Sequence, residues 1–236
     1  MAGEDEGSGC VSRVLRVGQL GGDLERGAWN ATEAIPLLLR CAVQEGVRCL
    51  PRLDEMVSWL PVDVAGRAVV ELVLRGERDG EERESGETVY QVLNPTRLHF
   101  TYDVLPALRK AYAELLPGVE YDEVEPEEWL RRLRVANEQE FDGADAGAAL
   151  AERNPCIKLL GFWEGKYKGV AGAPLLNEGA ERGSDKGKGL IFETTKTLRD
   201  APVLGSAGRE VMLQEGAEGY LVKLVRSWLA EWKLDG

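Results

Sequence analysis

The residues with which proton-transfer or covalent chemistry would begin are few: six tyrosines, one histidine and four cysteines in 236 residues. A phenol that protonates a nascent alkoxide needs a lysine four residues on to lower its pKa toward neutrality. Four residues after Tyr90, Tyr102, Tyr112, Tyr121, Tyr167 and Tyr220 stand Asn94, Pro106, Leu116, Glu125, Ala171 and Leu224. That pair is absent from the sequence. A serine nucleophile fares no better, because there is no G-x-S-x-G turn and His99 is the single imidazole available to activate one. His99 reads as a packing or surface residue. Cys10, Cys41, Cys49 and Cys156 show no C-x-x-C spacing, so no zinc constellation can be assembled with one histidine. The carboxylates Glu120, Asp122, Glu123, Glu125, Glu127 and Glu128 read as a solvated face, and no metal site is expected.

Phosphate-binding glycine loops are also missing. Gly7-Ser8-Gly9 has Ser12 where a third glycine is required and no strand before it. Gly183 to Gly189 has the wrong spacing for a P-loop and lacks the terminal Ser or Thr. The net charge of -12 and pI near 4.8 argue against a nucleic-acid surface, which needs clustered Lys and Arg. No apolar run approaches the ~20 residues of a membrane span. MAGEDEGSG lacks the basic and apolar regions of a secretory signal, so a cytoplasmic location with reduced thiols is expected.

The elements follow from periodicity. RVLRV (13–17) alternates like a strand and runs into GQLGGD. In WNATEAIPLLLRCAV, Asn30 and Glu33 have capping-box spacing ahead of a helix that stops near Gly46. Asp63 caps a second helix with the stripe Val64, Ala68, Val69, Leu72 and Val73, ended by Gly76. TVYQVLN (88–94) is a strand broken by Pro95, a helix runs from about Asp103 to Leu116, and VEYDEV is a short strand. Pro126 starts a helix carrying Trp129, Leu130 and Leu133. NPCIKLLGFWEG opens another. Tyr220, Leu221, Leu224, Val225, Trp228, Leu229 and Trp232 form one strongly apolar helical face that must dock on the core of this chain.

The expected fold class is α/β: a partial Rossmann-like edge followed by a mostly helical substrate lobe. The expected domains are a disordered 1–10, a Rossmann-like remnant 11–76, an acidic loop 77–87, and a helical lobe 88–236 with a flexible insertion near 164–189.

RVLRVGQLGGD, WNATEAIPLLLRCAV, LPRLDEMVSWLPVDVAGRAVVEL, VYQVLNPTRLHFTYDVLPAL, EEWLRRLR and NPCIKLLGFW occur in this order. Together they resemble the C-terminal part of the thioester reductase domain. That domain is the male-sterility-type, NAD(P)-binding extended short-chain reductase found in fungal adenylating reductases and peptide-synthetase-like enzymes. The resemblance covers about residues 11 to 165. It implies NADPH as cofactor and no metal. It also implies a phosphopantetheine-carrying acyl carrier domain as partner, with an upstream adenylation, carrier and reductase portion. By the same resemblance Val17, Gly18, Gln19 and Leu20 lie beside the nicotinamide, where small residues and free backbone amides suit close approach. Gly21, Gly22, Asp23, Trp29, Asn30 and Thr32 then lead into the substrate mouth. Asp63 and Asn94-Pro95 are read as structural. No catalytic residue is assigned.

Three functions are therefore in play. The first is the substrate-binding portion of an NADPH-dependent thioester reductase, inactive alone because the glycine fingerprint and the Tyr-x-x-x-Lys pair are lacking. The second is a trans-acting partner of a separate cofactor-binding half. The third is a non-enzymatic acidic binding module.

Overall fold

The computed structural model of the chain describes residues 12–78, 88–138, 154–175 and 192–233. Among them the strands are β1 (Arg13–Val17), β2 (Leu20–Gly21), β3 (Cys49–Pro51), β4 (Met56–Val57), β5 (Leu60–Pro61), β6 (Thr88–Val92), β7 (Leu98–His99) and β8 (Asp122–Val124). The α-helices are α1 (Ala34–Arg40), α2 (Val62–Arg78), α3 (Leu105–Leu115), α4 (Pro126–Glu138), α5 (Leu160–Tyr167), α6 (Thr195–Asp200), α7 (Arg209–Met212) and α8 (Tyr220–Trp232). The fold is mixed α/β with small, mainly parallel sheets. The chain divides into two units. One takes the described residues of Met1–Gly21, Ser58–Thr96 and Ile191–Gly208, and the other takes those of Gly22–Val57, Arg97–Leu190 and Arg209–Gly236.

In the first unit the alternation of RVLRV forms β1, which pairs in parallel with β6 from Arg13↔Thr88 to Val17↔Val92. β2 pairs in parallel with β5. Helix α2 begins directly after Pro61 and buries Val64, Ala68 and Leu72. Asp63 sits inside the first turn rather than at the cap and pairs with Arg67, 3.2 Å away. A 3₁₀ segment (Pro202–Ala207) packs on α2 through buried Leu204, with Val203 N–H donating to Glu71 Oε2 at 3.3 Å.

In the second unit β3 and β8 pair in parallel, and β4 and β7 pair antiparallel. The apolar face of α8 is buried as its period requires, packing on α3, with Trp228 fully enclosed. Burial of each large apolar side chain there contributes about 1.5–3 kcal/mol. Lys233, in the left-handed region at φ 56°, ends the helix. Helix α4 starts at Pro126 and buries Trp129, Leu130 and Leu133.

Several local expectations change. The Asn30–Glu33 capping box does not form. Asn30 Oδ1 instead accepts from Thr32 N–H (3.0 Å) and Thr32 Oγ1 (2.8 Å), and Glu33 Oε2 accepts from Trp29 Nε1 (3.0 Å). Helix α1 therefore starts at Ala34 and has no side-chain cap. The segment ahead of α3 is a π-turn, Phe100–Val104, rather than regular helix from Asp103. The insertion near 164–189 is not a free loop at its start. Residues 164–167 belong to α5, and 168–175 are tied down by Tyr102 OH donating to Pro174 O (2.9 Å) and Gly172 N–H donating to Glu125 Oε2 (2.8 Å). Residues 176–189, the N-terminal 1–10 and most of the acidic loop lie outside the described residues.

Candidate functional site

In an open α/β sheet, ligands bind beyond the carboxyl ends of parallel strands. Val17 and Gly18 occupy that position on β1. Gly18 N–H donates across the ladder to Val92 O at 3.0 Å, so its amide is not free, contrary to expectation. A Cβ on Gly18 would lie 2.5 Å from Leu93 Cδ2, so a side chain here would displace the end of Leu93. Leu60 N–H donates to Gln19 O (2.9 Å), which aligns β5 beside β2. What remains at this end of the first unit is the exposed isopropyl group of Val17, the exposed carboxamide of Gln19, whose Nε2 turns to Leu20 O (2.9 Å), and half-buried Leu20. Gly21 closes the stretch, buried. Below it, Asn94 is buried and fully engaged: Nδ2 donates to Trp59 O (2.8 Å), and Oδ1 accepts from Thr96 N–H (2.8 Å).

The substrate-mouth residues Gly22, Asp23, Trp29, Asn30 and Thr32 belong to the second unit. Asp23 organises their loop. Its Oδ1 accepts from Glu25 N–H (3.1 Å) and Arg26 N–H (2.7 Å), and its Oδ2 accepts from Ala28 N–H (3.0 Å). Burial raises the Asp23 pKa, but the amides of Arg26 and Ala28 and the Arg26 charge outweigh it. The carboxyl group is held below its usual range. This carboxylate is engaged by its own turn. The loop is then fixed to α8: Tyr220 OH donates to Gly22 O (3.0 Å), Lys223 Nζ to Leu24 O (3.3 Å), and Trp228 Nε1 to Trp29 O (3.0 Å). The Trp29 and Trp228 rings meet at 5.8 Å. Trp29 is thus a buried anchor, whereas Asn30 and Thr32 form an exposed turn. Gly27 makes the contact possible. It has φ +71°, and a Cβ there would lie 2.5 Å from Leu224 N and 2.6 Å from Lys223 O. Sequence reasoning missed Gly27 and Tyr220 as parts of this loop. A glycine seven residues before α1 was a detectable turn signal, but its partner lies almost two hundred residues away.

Elsewhere in the second unit, His99 and Asp103 are engaged in local structure. His99 Nδ1 accepts from Thr101 N–H (3.2 Å) and Tyr102 N–H (3.3 Å), capping the π-turn, and Nε2 faces Asp54 Oδ1 at 3.1 Å. Asp103 accepts from His99 N–H (2.8 Å) and pairs with Arg209. Lys166 Nζ lies 2.8 Å from Tyr167 OH, a spacing that could activate a phenol. Burial, followed by the charge and hydrogen bond of Glu55, instead pushes this phenol well above its ordinary range. Tyr167 is therefore no acid near neutrality. Among the described residues no group of three or more His, Cys, Asp and Glu could hold a metal ion. Among the same residues no helix is long and apolar enough to cross a membrane.

The fold is similar to that of part of a terminal reductase domain. The crystal structure of the terminal R domain from the myxalamid PKS-NRPS biosynthetic pathway superposes with TM-score 0.54 and 19% identity, over 92% of this chain and 43% of that one. The chain is homologous to fungal adenylate-forming reductases and to polyketide and peptide synthetases. It is 28% identical to the adenylate-forming reductase Nps10 of Heterobasidion annosum over 95% of its length, and 30% identical to the non-reducing polyketide synthase sorB of Penicillium rubens over 66%. It spans 17% and 5% of those two proteins. No family model matches the chain.

Proposed function

We propose that the chain is the substrate-side portion of an NADPH-dependent thioester reductase acting on acyl groups carried as phosphopantetheine thioesters. The observation that carries this reading is the sequence match to Nps10 along 95% of the chain together with an R-domain fold. NADPH would supply hydride to the thioester carbonyl. The residues at the end of β1 suit the nicotinamide end of such a cofactor: Val17 offers an apolar flank and Gln19 a neutral amide that can pair with a carboxamide. None of Val17, Gly18, Gln19 and Leu20 carries a charge for the diphosphate, whose binding falls to other residues. Trp29 and the Asp23 turn give the mouth a rigid wall, so the loop orients an acyl-pantetheine arm without refolding.

The test compares the 236-residue chain with a fusion that sets it behind the cofactor-binding half of a related terminal reductase domain, using a phosphopantetheine-bound acyl thioester and following NADPH absorbance. The chain alone is expected to give no turnover, and the fusion is expected to release aldehyde or alcohol. Turnover by the chain alone overturns the assignment of its role, and a fusion that binds NADPH without reducing the thioester overturns the reaction.

A further inference from the structure

Helix α2 carries two apolar stripes. Val64, Ala65, Ala68 and Leu72 are buried and hold it against β5, β6 and the 3₁₀ segment. On the opposite side Val62, Gly66, Val70, Val73 and Leu74 recur at i, i+4, i+8, i+11 and i+12, one continuous line along the helix. Its four side chains, Val62, Val70, Val73 and Leu74, are exposed at 44%, 55%, 53% and 45%. The solvent side of a surface helix is ordinarily polar. Neighbouring helices of an α/β layer lie side by side on their sheet, so they leave an outward line like this one uncovered.

Gly66 stands within this line, in the body of a 17-residue helix, where glycine costs about 1 kcal/mol relative to alanine. A Cβ at this position meets nothing within 4 Å, so packing inside the chain does not call for a glycine. A second copy of the helix does. The line is self-complementary when two copies of α2 run antiparallel. With Val70 opposite Val70, Leu74 of each copy lies opposite Gly66 of the other, and Val73 lies opposite Arg67. The leucine fills the slot that the glycine leaves. The stem of Arg67, whose head pairs with Asp63, covers the valine. A parallel pair sets Gly66 against Gly66 and leaves the slot empty.

We propose that the outward line of α2 is a self-association surface, on which a second copy of this chain docks its own α2 antiparallel about a twofold axis through Val70. Such a contact is isologous and closes at two copies. Antiparallel helices at the shallow crossing angle of about 20° keep the whole line in register. Four large side chains per copy fall short of a standard protein interface, so the dimer is weak and set by concentration. The surface does not rest on the reductase reading.

The experiment is sedimentation velocity of the full 236-residue chain from micromolar to millimolar concentration. The expected result is reversible passage from 25.9 kDa to twice that mass. G66L fills the slot and V70K sets two like charges on the axis, so each should weaken the dimer about ten-fold or more. G66L should at the same time raise the melting temperature by about 2–4 °C, because leucine is the better helix former where no internal neighbour is met. Loss of the dimer in G66L is thereby separated from loss of the fold. V14K, at an exposed position on β1, should leave the dimer unchanged. Cys41, Cys49 and Cys156 are buried, so a C10S background leaves the surface clear for cross-linking. There, with oxidised glutathione, V70C should join two chains through a disulfide and V62C, far from the axis, should not. Four results overturn the proposal: a chain that stays monomeric throughout, a dimer that G66L and V70K leave intact, a dimer that V14K abolishes, or V62C chains that join as readily as V70C, the mark of a parallel pair.

Discussion

Replacing Gly27 by alanine isolates the close approach on which the Asp23 loop depends. Two costs add. Placing a non-glycine residue at φ +71° costs about 1–2 kcal/mol. The new Cβ meets backbone atoms of Lys223 and Leu224, which cannot rotate away, and overpacking of this kind costs about 1–3 kcal/mol. G27A should therefore lose about 3 kcal/mol. At a urea m-value of about 2 kcal/mol/M this is a midpoint shift of ~1.5 M. Gly118 is the control. It occupies the turn after α3 at φ +88°, where Val119 N–H donates to Leu116 O (3.1 Å), and a Cβ there meets nothing within 4 Å. G118A keeps the first cost and lacks the second, so it should lose about 1–2 kcal/mol. Urea unfolding followed by tryptophan fluorescence compares the two. Hydrogen exchange at Gly27, whose amide donates to Asp23 O (3.0 Å), shows whether the loop has lifted. If G27A is no more destabilising than G118A, the loop is not held by that contact, and the argument for a rigid mouth wall fails.

Asp23, whose pKa is depressed in the folded chain, contributes stability that is complete above its unfolded value and declines as the pH falls through the folded one. D23N should flatten that acid limb in urea midpoints measured between pH 5 and pH 2. Glu128 is drawn down to about 2 by its hydrogen bonds to Arg131 and Arg132; its carboxyl resonance should titrate near there by NMR and move up in R132Q. Asn94 is buried with both ends of its amide bonded, so N94A should cost about 1–3 kcal/mol in denaturant midpoint by stranding Trp59 O and Thr96 N–H. Burial raises the Cys49 thiol to about 12, and Cys41 and Cys156 are also buried, so a thiol reagent should label none of the three before unfolding.

Periodic features were legible because their cause is local. The stripe of α8, Pro126 at the start of α4 and the alternation of β1 each follow from neighbouring residues and reappear where expected. The start of α1 was misread because Glu33 has two possible partners, and the indole of Trp29 takes it in place of a backbone amide. Residues 168–175 look like linker by composition, yet Arg52, Tyr102 and Glu125 from distant segments pin them. At the candidate site the glycines at 18, 21 and 22 could be read as room for close approach. Whether the Gly18 amide was free could not, because that depends on Val92, seventy-four positions later.

The clasp between the Asp23 loop and α8 also sets a timetable. Tyr220 meets Gly22 across 198 residues, and Trp228 meets Trp29 across 199. At about 5–20 residues per second, a ribosome needs roughly 10–40 seconds to make the second partner after the first. Throughout that interval Trp29 has no indole to pack against, and the loop has no helix to rest on. The opening segment of the second unit is thus made well before its partner, so the nascent chain carries an apolar loop in need of shelter until α8 emerges.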